Sequence, residues 1–283
     1  MSTPRIAVGY LATPGGEDAV TVGAQLARTL GAELDLCMVL PSDRPVLSPT
    51  PGDLLHQEAR DWLANAAAGV RDDLTVHTRL SFDESSPAGL IAAAEAVSAA
   101  ALVVGGAGGG IAGAFSLGSV VNDLVHASPL PVVIAPRGAR QRRSERIREV
   151  SCALGTRPGA NAVLETAARF CARTNTPLRV ISLVAVDQAD NLEQAQQHAK
   201  DALAQARSML PEQVPVTSQI ATGSTVEDAV TKLGWHDDDV IIVGSSRLAQ
   251  PRRLFLGSTG AKMLRVLQIP MVVIPKNEGT EGD

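Results

Sequence analysis

An internal duplication is the feature of this sequence that most constrains its fold. An apolar run that ends in glycine, Ala101 to Gly105, precedes a glycine-rich stretch, and a related series returns near the C-terminus. A spacing of 139 residues indicates two domains in tandem, because solenoid repeats are far shorter. The predicted domains cover residues 1–138 and 148–283, each long enough for its own core. The pairs of identical residues at this spacing are Gly105 and Gly244, Gly118 and Gly257, Ser119 and Ser258, Pro131 and Pro270, and Pro136 and Pro275.

Strand-like and helix-like segments alternate along both halves of the chain. Apolar runs without alternation, such as Arg5–Leu11 and Leu34–Leu40, indicate strands buried on both faces of a sheet. The pattern predicts five strands and four helices in each half, including a third strand at Leu74–Leu80 and a seventh helix at Val226–Trp235. This alternation favours parallel pairing through right-handed crossovers, and therefore an α/β fold.

A run of positive charge separates the two halves. The linker, residues 137–148, carries six arginines against one glutamate and is the only compositional break in the chain. Such a run would contact either an acidic partner or a polyphosphate, or it would be a solvated connection. We favour the solvated connection.

Composition and charge limit the classes of partner. A formal charge of -5 argues against sequence-independent binding to nucleic acid or to anionic membranes, so we expect a small partner and neither of those surfaces. The three cysteines, Cys37, Cys152 and Cys171, show no metal-binding or redox spacing and suit a reducing compartment. Without a signal-like segment or an apolar run of about 18 residues, the sequence predicts a cytoplasmic protein.

The glycine-rich stretch was compared with known phosphate-binding motifs. Neither half has the Gly-Lys-Ser/Thr of a Walker A motif. A Gly-x-Gly-x-x-Gly motif begins at Gly108. The region about 20 residues further on, 131–136, lacks the carboxylate that binds the ribose in a dinucleotide-binding fold. The spacing that remains is Gly105-x2-Gly108-x9-Gly118-Ser119, between a strand and a predicted helix. The free amides and positive dipole end of that helix would favour an anion.

In this form, followed by a strand that begins with proline, the sequence resembles the universal stress protein family over nearly its whole length. The resemblance implies two open, parallel, five-stranded Rossmann-like sheets of order 3-2-1-4-5, with helices on both faces, as in the adenine nucleotide alpha hydrolase-like folds. It further implies a pseudo-dimer within the chain, in which Val132–Ala135 meets Met271–Ile274, and a homodimer of two such chains. Some members of the family bind ATP or AMP, and others bind no nucleotide.

The resemblance also implies roles for individual residues. In the first half the glycine backbone would approach ribose and phosphates, helix amides with a serine hydroxyl would hold phosphate oxygens, and the ends of the first two strands would contact the nucleoside. The second half would repeat the phosphate contacts. The residues concerned are Leu11, Val39, Gly105, Gly108, Gly118, Ser119 and Val120 in the first half, and Gly244, Gly257, Ser258 and Thr259 in the second.

Two departures from the family pattern affect these expectations. ATP-binding members usually carry an aspartate at the end of the first strand, whereas the halves of this chain have Leu11 and Leu154. Loss of that charge-assisted hydrogen bond would weaken binding by roughly ten- to a hundredfold. Arg247 replaces the middle glycine of the second half, with Arg252 and Arg253 close behind, so these side chains would either obstruct a phosphate or grip an anion. The first half is therefore the better nucleotide candidate.

The sequence shows no arrangement typical of catalysis or of metal binding. The five histidines are scattered, and the run His236 to Asp239 lies where charged turn residues are common. Ser119 has no base marked in the sequence. We expect a protein without enzymatic activity or a metal site, which binds ATP or AMP in stress adaptation mainly through its first domain. The alternative is a nucleotide-free protein that engages a protein partner.

Overall fold

The computed structural model describes residues 3–41, 51–70, 72–106, 118–142, 145–154, 160–185, 192–245 and 254–275. In these ranges each half of the chain has five strands and four α-helices in alternation, as predicted. The first half comprises β1 (Arg5–Gly9), α1 (Pro14–Leu30), β2 (Glu33–Leu40), α2 (Pro51–Ala68), β3 (Val76–Phe82), α3 (Ser86–Ala96), β4 (Ala101–Gly105), α4 (Ser119–Ala127) and β5 (Val132–Ala135). The second comprises β6 (Glu149–Leu154), α5 (Ala160–Thr174), β7 (Leu178–Ala185), α6 (Leu192–Met209), β8 (Val216–Gly223), α7 (Val226–Thr231), β9 (Asp239–Gly244), α8 (Ser258–Val266) and β10 (Met271–Ile274).

The strands form one continuous ten-stranded sheet rather than two separate ones. Its order is β3-β2-β1-β4-β5-β10-β9-β6-β7-β8, so the predicted order 3-2-1-4-5 is confirmed in both halves. Pairing is parallel within each half, whereas β5 and β10 pair antiparallel, with Met271 opposite Ile134 and Val273 opposite Val132. The predicted meeting of the two last strands is therefore confirmed. It joins the sheets because each half leaves an apolar edge strand whose backbone groups need partners.

Helices cover both faces of the sheet and enclose two large core clusters. One cluster packs residues of α1, α2, α5 and α6 on one face, with Ile6, Leu34 and Leu164 fully buried. The other packs residues of α3, α4, α7 and α8 on the opposite face, with Leu102 and Ile241 fully buried. Each such side chain contributes roughly 1.5–3 kcal/mol to folding. Because both clusters contain residues from both halves, the halves share their cores.

Three predicted element bounds differ from the structure, each for a local physical reason. The first strand ends at Gly9 rather than Leu11, because the Leu11 carbonyl accepts from the Thr13 amide in the turn that leads to α1. The third strand begins at Val76 because its register with β2 pairs Leu34 with Val76 and Leu40 with Phe82. Helix α7 ends at Thr231, because Gly234 adopts a left-handed conformation with φ of 61°.

The described part of the arginine-rich linker is docked on the protein, so the expectation of a solvated connection is wrong. Ala139 and Ile147 are buried, and the Gln25 side chain donates to the carbonyl of Arg146. Arg142 donates to the backbone carbonyls of Asp237 and Gln268. The chain's own carboxylates and carbonyls therefore supply the partners for linker arginines. The linker's clearest ion pair joins Arg148 to Asp239 at 2.6 Å.

The acidic run at residues 236–239 forms a turn, in which the His236 amide donates to the Asp239 carboxylate at 3.0 Å. Within the described ranges no group of three His, Cys, Asp or Glu side chains is placed to hold a metal ion. In the same ranges no helix is both long and apolar enough to cross a membrane.

Candidate functional site

The predicted site residues of the first half lie at the carboxyl edge of its strands. Strand β1 lies between β2 and β4. The connection after β1 leads to a helix on one face of the sheet, and the connection after β4 leads to a helix on the other. In open α/β sheets this reversal produces a crevice outside the carboxyl ends of the two strands, which is where ligands bind. The topology therefore places the candidate site above β1 and β4.

Two backbone segments touch at this edge. A Cβ atom on Gly105 would lie 1.9 Å from the carbonyl oxygen of Gly15, and one on Gly15 would lie 2.9 Å from the carbonyl oxygen of Gly106. Only residues without side chains permit this approach. The structure thus gives Gly105 a role in packing β4 against the start of α1, in addition to the ligand approach that the sequence predicts.

Helix α4 begins at the same edge without a side-chain cap. Its N-cap, Gly118, has φ of −63° and ψ of 160° and has no side chain to bond the first amides. The first helical hydrogen bond runs from the Asn122 amide to the Gly118 carbonyl at 2.9 Å. The amides of Ser119 and Val120 precede that bond, so they have no intrahelical acceptor. We call these first-turn amides the first-half anion site.

Three other helices of this chain begin differently. The hydroxyls of Thr13, Ser85 and Thr225 cap α1, α3 and α7 by accepting a hydrogen bond from a first-turn amide. These side chains satisfy donors that would otherwise attract an anion. The open start of α4 is therefore not shared by these three helices.

Leu11 and Val39 have contrasting environments. The Leu11 side chain is 56% exposed and brings no carboxylate to the edge, while its carbonyl accepts from the Thr13 amide at 2.7 Å. The Val39 side chain is only 8% exposed, because its methyl groups pack against Gly89 of α3. Any contact of Val39 with a ligand would therefore come from its backbone. Gly108 lies outside the described residues.

The second half repeats the open helix start in other surroundings. Gly257 is the N-cap of α8 with φ of −69° and no side-chain hydrogen bond, and Ser258 and Thr259 open the helix. A Cβ atom on Gly244 would meet the Val163 side chain at 2.6 Å, so this glycine faces a movable methyl group rather than backbone. Arg247, Arg252 and Arg253 lie outside the described residues.

The approach to α8 is braced by the first half. The Leu254 amide donates to the Ser128 carbonyl at 2.9 Å, and the Leu256 amide donates to the Val125 carbonyl at 3.1 Å. The Phe255 ring meets the His126 ring edge-on, with centroids 4.8 Å apart. The C-terminal turn of α4 therefore holds the residues that lead to the second open helix start. Sequence reasoning missed this contact, because backbone hydrogen bonds leave no residue signature.

Residues beside the first-half crevice were also missed. Asp18, in the first turns of α1, is only 2% exposed and accepts hydrogen bonds from the amides of Gly138 and Arg140. The signal available in the sequence was the position of the Asp18 carboxylate among apolar positions of the predicted helix. Nearby, burial and then the charge of Glu17 raise the pKa of the Tyr10 phenol above its usual value.

Comparison with known proteins identifies the family. The family model described as the universal stress protein family matches residues 3–136 and again residues 147–275. The chain belongs to this family. Among its relatives, the universal stress protein Rv2319c of Mycobacterium tuberculosis (strain ATCC 25618 / H37Rv) is 27% identical over 290 residues, which cover 95% of this chain and 99% of the relative.

Solved structures of universal stress proteins share the fold. One from Archaeoglobus fulgidus DSM 4304 has a TM-score of 0.70 at 18% identity, and the match covers 98% of this chain and 100% of that one. A shorter universal stress protein from Archaeoglobus fulgidus, solved in complex with dAMP, matches 47% of this chain and 98% of its own length at 21% identity, with a TM-score of 0.37.

Proposed function

We propose that the first half of this universal stress protein binds an adenine nucleotide, ATP or AMP, with its phosphates on the first-half anion site. The observation that carries the proposal is the start of α4 at Gly118, where no side chain competes for the first amides. Such a helix start attracts anions through its unpaired amides and its dipole. The ligand class comes from the family resemblance.

The proposed binding is weak. Leu11 offers no carboxylate to a ribose hydroxyl, which removes a contact worth about 1.5–3 kcal/mol, or roughly ten- to a hundredfold in affinity. Backbone amides at Ser119 and Val120 are unaffected by that replacement. The phosphates therefore provide most of the binding energy in this proposal, and the sugar contributes little.

We further propose that the protein acts by binding rather than by turnover, in the cytoplasm and in stress adaptation. The Ser119 hydroxyl lies at the helix start as a phosphate ligand in this scheme. Recovery of intact ATP after long incubation with the protein supports this part of the proposal, whereas steady release of ADP contradicts it.

A second candidate function is supported by exposed apolar side chains on the first half. Leu11 and Phe82 end or follow strands at the carboxyl edge, and Phe82 meets His56 edge-on at 4.8 Å. The exposed Leu54 and Leu55 adjoin His56 in α2. Exposed apolar groups that lie side by side can form a contact surface. A nucleotide-free protein that engages a protein partner would use them.

Thermal unfolding in the presence of nucleotide separates the two functions. At an ATP concentration about 100 times the dissociation constant, binding to the native state adds about 2.7 kcal/mol of stability. A saturable upward shift of the melting temperature with ATP or AMP supports nucleotide binding. An unchanged melting curve at millimolar ATP favours the interaction protein.

A further inference from the structure

The linker is fastened to the start of α1 by one buried carboxylate. Asp18 accepts the Gly138 amide at 3.0 Å and the Arg140 amide at 2.8 Å. The Arg140 guanidinium adds Nη1 contacts of 3.1 Å to both oxygens of the carboxylate. Two backbone amides and a guanidinium thus saturate one buried acceptor, and charge-assisted hydrogen bonds of this kind are the strong ones in proteins.

This attachment continues to the crevice through short backbone steps. Nη1 of Arg140 also lies 3.5 Å from the Pro14 carbonyl, and Pro14 precedes the glycine whose backbone touches β4. The Gly106 amide, just after β4, donates to the Ala135 carbonyl at 3.2 Å. Ala135 ends β5, and Gly138 follows three residues later. The linker, the start of α1, the end of β4 and the end of β5 therefore form a closed ring of contacts.

We propose that Asp18 and Arg140 are positioning residues for the nucleotide site of the first half, which makes the linker a part of that site. The inference rests on the proposed function. The ring fixes the backbone at Gly15 and Gly105. This backbone borders the crevice above β1 and β4, and the first-half anion site lies at the same edge of the sheet. Since coupling between two equilibria is reciprocal, nucleotide binding in turn holds the linker in its docked position.

The second half lacks this attachment at the level of sequence. The helix that corresponds to α1 is α5, and its first five residues, Ala160 to Leu164, include no carboxylate that could receive a linker. The positioning role therefore applies to the first half alone.

Amide hydrogen exchange and nucleotide titration of the full chain test the inference together. The variants are Asp18→Asn, and Arg140→Gln as a milder change that keeps the carboxylate and its two amide donors. The control is Asp73→Asn, which removes a bidentate pair with Arg28 of 2.8 and 3.0 Å at the other end of α1. All of the proteins are compared without nucleotide and with ATP.

In both Asp18→Asn and Arg140→Gln, the Gly16 and Gly106 amides are expected to exchange at least tenfold faster than in the wild type. Both variants are also expected to bind ATP at least fivefold more weakly. The control is expected to stay within twofold in both measurements. In the wild type, ATP is expected to slow exchange in residues 138–142, which a purely structural clamp between the halves would not produce.

The outcomes separate the inference from the proposed function. Unchanged exchange at Gly16 and Gly106 in both variants overturns the inference, whether or not ATP binds. Faster exchange with unchanged ATP affinity also overturns it, because the linker would then be docked without positioning the site. Faster exchange in a protein whose wild type binds no ATP supports the positioning of this backbone and refutes only the nucleotide proposal.

Discussion

Substitution of Gly118 by aspartate should make the protein slightly more stable and remove its response to ATP. Gly118 has φ of −63° and ψ of 160°, a conformation open to any residue, so aspartate can act as an N-cap without strain. An Asp cap improves on Gly by only a few tenths of a kcal/mol, and its charge at the positive dipole end adds about 0.3–1 kcal/mol. The free energy of unfolding is therefore expected to rise by about 0.5–1 kcal/mol.

The same carboxylate should repel phosphate from the first-half anion site. Two unit charges about 4 Å apart repel by roughly 1–4 kcal/mol between the limits of water and a protein surface. A hundredfold weaker affinity would reduce the stabilisation at a given ATP concentration from about 2.7 to about 0.4 kcal/mol. Thermal melts with and without ATP measure both effects in one experiment.

The duplication provides the matched control, Gly257→Asp, at the equivalent start of α8. This variant should gain the same stability and keep the response to ATP. Full ATP stabilisation in Gly118→Asp would refute the placement of the phosphates at α4. Loss of the response only in Gly257→Asp would move the site to the second half.

Three further predictions concern the sugar, the buried charge and the thiols. First, the wild type should bind 2′-deoxy-ATP within about threefold of ATP, because the sugar contributes little. Leu11→Asp should strengthen ATP binding about tenfold, because the new carboxylate restores a charge-assisted acceptor. A marked preference of the wild type for ATP over 2′-deoxy-ATP in the same melts would contradict the first expectation. Second, Arg179→Met should lower the free energy of unfolding by about 3–5 kcal/mol, because the buried guanidinium pairs with Glu149 at 3.0 Å and lies 4.8 Å from the centre of the Trp235 ring. The control Arg265→Met, whose side chain is 70% exposed and lies 3.9 Å from Glu227, should cost about 1 kcal/mol or less in denaturant unfolding. Third, burial raises the pKa of Cys171 to about 12, so its native thiol stays neutral at pH 8 and should react with a disulfide reagent only on unfolding; rapid labelling of native protein would contradict this.

The architecture was predictable from the sequence because the decisive signals are local and occur twice. Apolar runs without alternation marked β2 and β4, and the repeated glycine and serine marked the starts of α4 and α8. The strand order came from the family resemblance. Strand β3 was misplaced by two residues, because its bounds depend on register with β2, which its own residues do not encode.

The surroundings of the site were less predictable, since they depend on pairs distant in sequence. Asp18 and the linker arginine that it binds are 122 positions apart, and no periodic pattern connects them. Considered alone, six arginines among twelve residues resemble a solvated segment. Only the fold shows that a buried carboxylate lies where the chain leaves β5. The contact of Leu254 with Ser128 was missed for a related reason, because it uses backbone atoms alone.

The two copies of the helix start are chemically alike but differ in what holds them. Gly118 and Gly257 have nearly the same backbone angles, and both lack a side-chain cap. In the first half the adjoining β4 glycine meets rigid backbone, which the linker fastens in turn. In the second half the corresponding glycine meets the end of a valine side chain, and the residues before α8 depend on the last turn of α4 for their hydrogen bonds. A shift of α4 would therefore displace the start of α8 directly, through the hydrogen bonds of the Leu254 and Leu256 amides. A shift of the backbone at the first-half crevice would also have to displace the linker.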